Sequence, residues 1–194
     1  MSRDRILAAL RQNQPEVSAL PTTLSFQRDP NLDLAEKFKA MAEGIGSKVY
    51  IAANMEDIGT QLAAEFPQAL RIISLVPELV SAALPAFEHH ADPHTYESVD
   101  VAIFKPRIAV AENSALWITE DRMGVRALPF ITQHIVMIVD RKILVPDMHA
   151  AYERIGMDDF GFSTFIAGPS KTADIEQSLV LGAHGPRSMT IFLY

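Results

Sequence analysis

The chain has 194 residues, with 17 Lys and Arg against 24 Asp and Glu, a formal charge of −7, and no cysteine. Without thiols it makes no disulfide, no thiolate zinc site, no iron–sulfur cluster of its own and no cysteine nucleophile. The acidic balance, without a basic run, argues against a nucleic-acid surface. A hydrophobic share of 48% and a charged share of 21% are those of a folded chain, long enough to bury on the order of 70% of its unfolded surface. The opening Met-Ser-Arg-Asp-Arg-Ile-Leu-Ala-Ala-Leu carries an acid and only a short apolar stretch, unlike a signal peptide. The longest uncharged stretch, 127–139, is too short to span a bilayer. A cytoplasmic protein is expected.

In chain order, 2–11 places Ile6, Leu7 and Leu10 on one helical face. A polar, proline-containing connection follows. Asp29-Pro30-Asn31 offers helix-start chemistry, and Leu34, Phe38 and Met41 form the stripe of a second helix stopped by Gly44-Ile45-Gly46. The run 48–53 reads as a strand, Asn54 caps a helix through Phe66, and 70–76 is the next strand. Later strands are expected at 99–104, 115–119, 134–139, 142–145, 162–167 and 188–194, with a helix opening at Pro146-Asp147. This alternation predicts a three-layer α/β/α fold with a mostly parallel sheet and an N-terminal helical extension. The division expected is a helical arm over 1–46, packed on the same domain, and an α/β domain over 47–194.

Chemistry concentrates in two glycine-bearing loops. Gly168-Pro-Ser-Lys-Thr-Ala-Asp-Ile-Glu176 follows a strand and precedes an expected helical turn. Its backbone N–H groups, with Ser170, Lys171 and Thr172, suit a phosphate or carboxylate. The same residues also fit an ordinary strand-to-helix loop, with Thr172 as cap and Asp174 and Glu176 complementing the helix dipole. The glycine spacing is not that of a Walker loop. Gly182-Ala-His-Gly-Pro-Arg187 forms a tight turn at Gly182 and Gly185 from which His184 and Arg187 project. If the two loops meet, Lys171, His184 and Arg187 converge on an anion; otherwise Arg187 pairs with Asp174 or Glu176. The joining segment 177–181 is expected to pack inward.

The unbroken stretch 167–187, Ala-Gly-Pro-Ser-Lys-Thr-Ala-Asp-Ile-Glu-Gln-Ser-Leu-Val-Leu-Gly-Ala-His-Gly-Pro-Arg, resembles the C-terminal signature of the LUD domain family, and within it the lactate utilization protein C type. Weaker similarity runs back through Asp147, the strand from His134 and Ala111-Glu112-Asn113. The resemblance implies a fold similar to NagB, RpiA and the CoA transferases. It also implies a role in oxidising L-lactate to pyruvate alongside iron–sulfur partner proteins, which would carry the clusters that a cysteine-free chain cannot hold. No cofactor is expected on this chain, since Gly44-Ile-Gly46 precedes a strand rather than following one.

Ala111-Glu-Asn-Ser-Ala115 is similar to the Ala-Glu-Thr-Gly of the family and to the Ser-Glu-Asn-Gly that carries a nucleophilic glutamate in CoA transferases. Glu112 matches; Ser114 stands where a glycine is usual. Glu112 is therefore either a base, nucleophile or ligand-orienting group, or a carboxylate bonded to backbone N–H groups in a turn. Glu88-His-His-Ala-Asp-Pro-His94 holds three imidazoles but lacks ligand spacing and reads as a solvated loop, so no metal site is expected. His134 and His149 read as isolated histidines. The function expected is a lactate-oxidation component with Glu112 and His184 as catalytic residues and Gly168, Ser170, Lys171, Thr172, Asp174, Glu176, Gly185 and Arg187 as the binding set. The alternatives are an enzyme acting on a phosphorylated or CoA-linked substrate, or a non-catalytic carboxylate-binding or assembly subunit. Homo-oligomers are compatible with each.

Overall fold

Strands buried on both faces need continuous apolar runs, and three segments of this chain supply them. A computed structural model describes residues 2–19, 29–79, 87–90, 92–157, 160–173 and 179–194. The chain divides into two compact units, Met1–Pro30 and Asn31–Tyr194. In the first, helix α1 (Arg3–Gln12) is exposed along its described length.

The second unit begins with α2 (Leu34–Gly44), β1 (Lys48–Ile51), α3 (Met55–Glu65) and β2 (Ile72–Ser74). It continues through β3 (Val101–Phe104), β4 (Ile108–Val110), β5 (Leu116–Thr119), α4 (Glu120–Met123), α5 (Leu128–Ile131) and β6 (His134–Val139). The remainder is β7 (Leu144–Val145), α6 (Met148–Ile155), β8 (Ser163–Ile166), β9 (Lys171–Ala173), β10 (Leu179–Leu181) and β11 (Ser188–Leu193). The expected 1–46 arm is thus divided, with α1 in the first unit and α2 in the second.

The central sheet runs β1-β11-β6-β3-β2, and every pair in it is parallel. Its two faces follow from the period of two along each strand. Ala102, Phe104, Ile135, Met137, Val139, Met189, Ile191 and Leu193 pack with Phe38 and Ala42 of α2. Val101, Ile103, Val136, Ile138 and Phe192 pack with Ile58 and Leu62 of α3. Helices therefore cover both faces of a mostly parallel sheet. Asp33, Asn54 and Asp147 cap α2, α3 and α6 by accepting first-turn backbone N–H groups, the interaction that makes Asx residues favourable at this position. The cap of α2 lies beyond Asp29-Pro30-Asn31, at Asp33.

A second sheet, β7-β4-β5-β8, lies on the α2 side of the core, with Ala109, Leu116 and Ile118 in the same cluster as Phe38. Its strand β4 was not expected, and of 142–145 the first half belongs to a 3-10 turn capped by Asp140 while Leu144–Val145 is strand. Among the described residues, no helix is long and apolar enough to cross a membrane.

Candidate functional site: two joined glycine loops

The loop after β8 is held by glycines where side chains would collide. Gly168 has φ +74°, and a Cβ there would stand 3.0 Å from Ile45 Cδ1 and 3.3 Å from the Ile45 carbonyl oxygen. On the other side of the α2–β1 turn, Lys171 Nζ lies 3.6 Å from where a Gly46 Cβ would be. The loop therefore packs along that turn.

The two glycine loops lie side by side. Ser170 N–H donates to the Pro186 carbonyl at 2.9 Å, and Gly182 N–H donates to the Ser170 carbonyl at 3.0 Å. Arg187 N–H donates to the Gln133 carbonyl at 2.8 Å, fixing the second loop to the start of β6. Gly185 sits over the Ser170 side chain, and Gly182, at φ +76°, covers the Arg187 stem. Lys171, His184 and Arg187 are exposed on the joined loops. No hydrogen bond or ion pair links the three among the described residues.

The described part of the join is strand where the start of a helical turn was expected, and 174–178 lie outside the described residues. Lys171 and Thr172 belong to β9, which pairs antiparallel with β10 (Lys171 opposite Leu181, Thr172 opposite Val180). Thr172 is a strand residue rather than a helix cap, as suits its branched Cβ and the Leu-Val-Leu run opposite. Val180 and Leu181 are 48% and 51% exposed, so this part of the joining segment does not pack inward. Asp174 and Glu176 lie outside the described residues.

Glu112 reaches the same end of the molecule by a different route. Leu116 of β5 pairs with Ile166 of β8, so the start of β5 lies beside the end of β8. The β4–β5 turn and the Gly168 loop thus leave the second sheet together. Glu112 is exposed, and its Oε2 accepts the Met148 N–H at 3.0 Å, while Asp147 accepts that of Ala150 at 2.8 Å. Two carboxylates therefore meet the first turn of α6, where the helix dipole favours negative charge. Ser114, at the usual glycine position, has φ +56° and is 1% exposed. Asn113 steadies it by accepting the Ala115 N–H at 3.0 Å. A left-handed conformation costs a non-glycine residue about 1–2 kcal/mol. Ser114→Gly is therefore expected to raise the urea midpoint by an amount equivalent to about 1 kcal/mol, offset in part by glycine's unfolded-state entropy.

A cluster that the sequence reading passed over lies at the N-terminal edge of the parallel sheet. His134 of β6 is the register partner of Ser188 of β11, and its Nδ1 is 2.7 Å from Ser188 Oγ. Beside them is a cavity of about 430 Å³ lined also by Lys48, Glu65, Phe66 and Asp100. Glu65 accepts from Lys48 Nζ at 2.5 Å and from Tyr50 Oη at 2.6 Å. Burial opposes ionisation of Glu65, but those two hydrogen bonds outweigh it and hold the carboxyl below its usual range. Burial, and then the nearby positive charge of Arg187, holds His134 below the ordinary histidine range. A neutral imidazole can accept a hydrogen bond from the Ser188 hydroxyl, which Arg187 precedes in the chain. Nothing local in the sequence marks this pair, because 54 residues separate its members.

This depressed histidine has a measurable consequence. Unfolded His134 titrates near about 6.5, so below that pH the unfolded chain binds more protons and stability falls as the pH drops toward the lowered folded value. The contribution is fully present above that window. Denaturation midpoints should decline as the pH is lowered through about 6.5, and His134→Gln should make the decline shallower.

The Glu88–His94 region is organised by Tyr96, whose hydroxyl accepts the His90 N–H at 2.8 Å and donates to the Glu88 carbonyl at 2.9 Å. Asp92 caps the following 3-10 turn. Among the described residues no three His, Asp or Glu side chains are grouped to hold a metal ion.

The fold and the paired loops define an α/β domain with a glycine-rich C-terminal signature. A family model described as the LUD domain matches residues 76–194, more than half of the chain, and the chain belongs to the LUD domain family. It is 33% identical over 100 residues to lactate utilization protein C of Oceanobacillus iheyensis, covering 48% of this chain and 43% of that protein. It is 33% identical over 97 residues to lactate utilization protein C of Geobacillus kaustophilus, with 46% and 40% covered. An uncharacterized protein of Neisseria meningitidis serogroup B is 29% identical over 160 residues, 79% of this chain and 64% of that one. The chain thus spans less than half the length of these lactate utilization protein C relatives. The crystal structure of a DUF162 family protein from Deinococcus radiodurans shares the fold, with TM-score 0.63, 16% identity, and 83% and 96% of the two chains covered.

Proposed function

We propose that this chain is a component of an L-lactate utilization system, and that its joined glycine loops bind the carboxylate of lactate, pyruvate or a related small acid. The observation that carries the binding reading is the pair of hydrogen bonds, Ser170 to Pro186 and Gly182 to Ser170, that fastens the two loops together. The names of the relatives support the process. Arg187 offers a two-pronged donor to a carboxylate, and Lys171 and His184 add an ammonium and an imidazole from the same loops. In the proposed reaction L-lactate loses two electrons and two protons to become pyruvate. One base takes the hydroxyl proton, the Cα hydrogen leaves as a proton to a second base or to solvent, and the two electrons pass one at a time to iron–sulfur partner proteins as the oxidant.

Glu112 and His184 are the proposed proton-handling residues. The hydrogen bond that Glu112 accepts from Met148 favours a second reading, in which the chain binds the acid and assembles the complex without doing chemistry. Deletion of the coding sequence should abolish or slow growth on L-lactate and leave growth on glucose unchanged. Tagged protein should co-purify iron–sulfur proteins from lactate-grown cells. Normal growth on lactate would overturn the proposed process, and the absence of iron–sulfur proteins would remove the proposed electron route.

A further inference from the structure

At the opposite edge of the parallel sheet from His134 and Ser188, where β3 and β6 end, lies a second cavity of about 390 Å³. That size falls within the range of small-molecule sites, and the carboxyl ends of parallel strands are where α/β proteins most often bind ligands. Lys105, Arg107, Arg122 and Arg154 all line it, in a chain whose formal charge is −7. They come from three places: the exit of β3, helix α4 and helix α6. Among the described residues Asp140 is the one carboxylate in the lining, and its Oδ1 accepts the Lys142 N–H at 2.9 Å.

Among the described residues, acids match this charge only in part. Lys105 meets Glu78 at 2.9 Å. Arg107 and Arg122 share the single carboxylate of Asp121, at 2.6 and 3.7 Å. Arg154 has no hydrogen bond or ion pair among the described residues. The apolar part of the lining is ordered: Phe160 meets Trp117 edge-on at 4.7 Å, and the Arg107 guanidinium lies 5.7 Å from the Phe160 ring centre.

We infer that this cavity binds a small phosphate monoester, with Arg122 and Arg154 as its principal anion contacts. Guanidinium groups present planar donor forks matched to phosphate oxygens. A lone carboxylate is satisfied by one such fork. Cations arriving from three elements suit a tetrahedral group carrying close to two negative charges, and the Trp117 and Phe160 side offers apolar surface to the carbon portion. The site is separate from the glycine loops and does not depend on the lactate reading.

Calorimetry at constant ionic strength, with glycerol 3-phosphate, inorganic phosphate and L-lactate as probes, tests this inference. Glycerol 3-phosphate should bind saturably, inorganic phosphate more weakly. The double variant Arg122→Gln/Arg154→Gln should lose affinity for the ester at least tenfold with an unchanged thermal midpoint, since both side chains are at least partly exposed. Arg187→Ala should bind the ester as the unaltered protein does, so failure here and failure of the carboxylate reading are told apart. No saturable binding of the ester, equal binding by the double variant, or displacement of the ester by equimolar lactate would each overturn the inference. Should the double variant unfold, Arg154→Lys, which keeps the charge and removes the fork, must still weaken ester binding.

Discussion

Gly182→Ala is expected to destabilise the chain and to disarm the joined loops. The residue has φ +76°, a conformation that costs a residue with a side chain about 1–2 kcal/mol. An added Cβ would also overlap Arg187 Cγ and stand 3.1 Å from Arg187 Cα. The stem of Arg187 has little room to give way, because its backbone N–H is bonded to Gln133 and the preceding Pro186 carbonyl holds Ser170. Overpacking of this kind adds about 1–3 kcal/mol. Chemical denaturation should therefore show a loss of about 2–5 kcal/mol, and calorimetry should show a loss of small-carboxylate affinity in protein that is still folded. Gly185→Ala is a milder control: its φ is not in the left-handed range, and its nearest contact, Ser170 Cβ, is at 3.1 Å. An unchanged midpoint in Gly182→Ala would show that the loops are not braced in the way their hydrogen bonds imply.

The parts of this structure that were legible in the sequence are those where one local pattern decides the outcome. The runs at 99–104, 134–139 and 188–194 are apolar on both faces of the chain, and each became a buried parallel strand. Asn54 and Asp147 announced helix starts through capping chemistry alone. The adjacency of the two glycine loops was also readable, because only a short segment separates them. What stayed hidden depends on partners distant in sequence. β4 is three residues long and is a strand because β5 and β7 flank it. Thr172 was expected as the cap of a helical turn, yet Leu179 to Leu181 offered Lys171 to Ala173 a strand partner. His134 looked isolated because Ser188 and Arg187 reach it only through the pairing of β6 with β11. The cationic cavity draws its four cations from positions 105 to 154 and has no local signature at all.

Arg187→Ala separates a ligand-binding arginine from a structural one, because two independent quantities should move together. Affinity for lactate or pyruvate should fall by about 1.5–3 kcal/mol, the worth of a hydrogen bond to a charged group. The His134 titration, followed by NMR, should move upward, because the positive charge that helps to hold it low is removed while its burial remains. An upward shift of His134 without loss of binding would place Arg187 beside the His134–Ser188 pair but outside the carboxylate site. Glu112→Gln completes the comparison. The amide oxygen can still accept the Met148 N–H, so the expected stability loss is only about 0.3–1 kcal/mol, from the charge removed at the helix N-terminus. If Glu112 acts as the base, lactate-dependent electron flow in the reconstituted complex should fall steeply despite that small change, since the amide accepts no proton. Unaltered flow would leave Glu112 with its capping role alone, and the proton would then have to be taken by an imidazole, with His184 on the loops and His134 beside Ser188 as the two candidates to be replaced in turn.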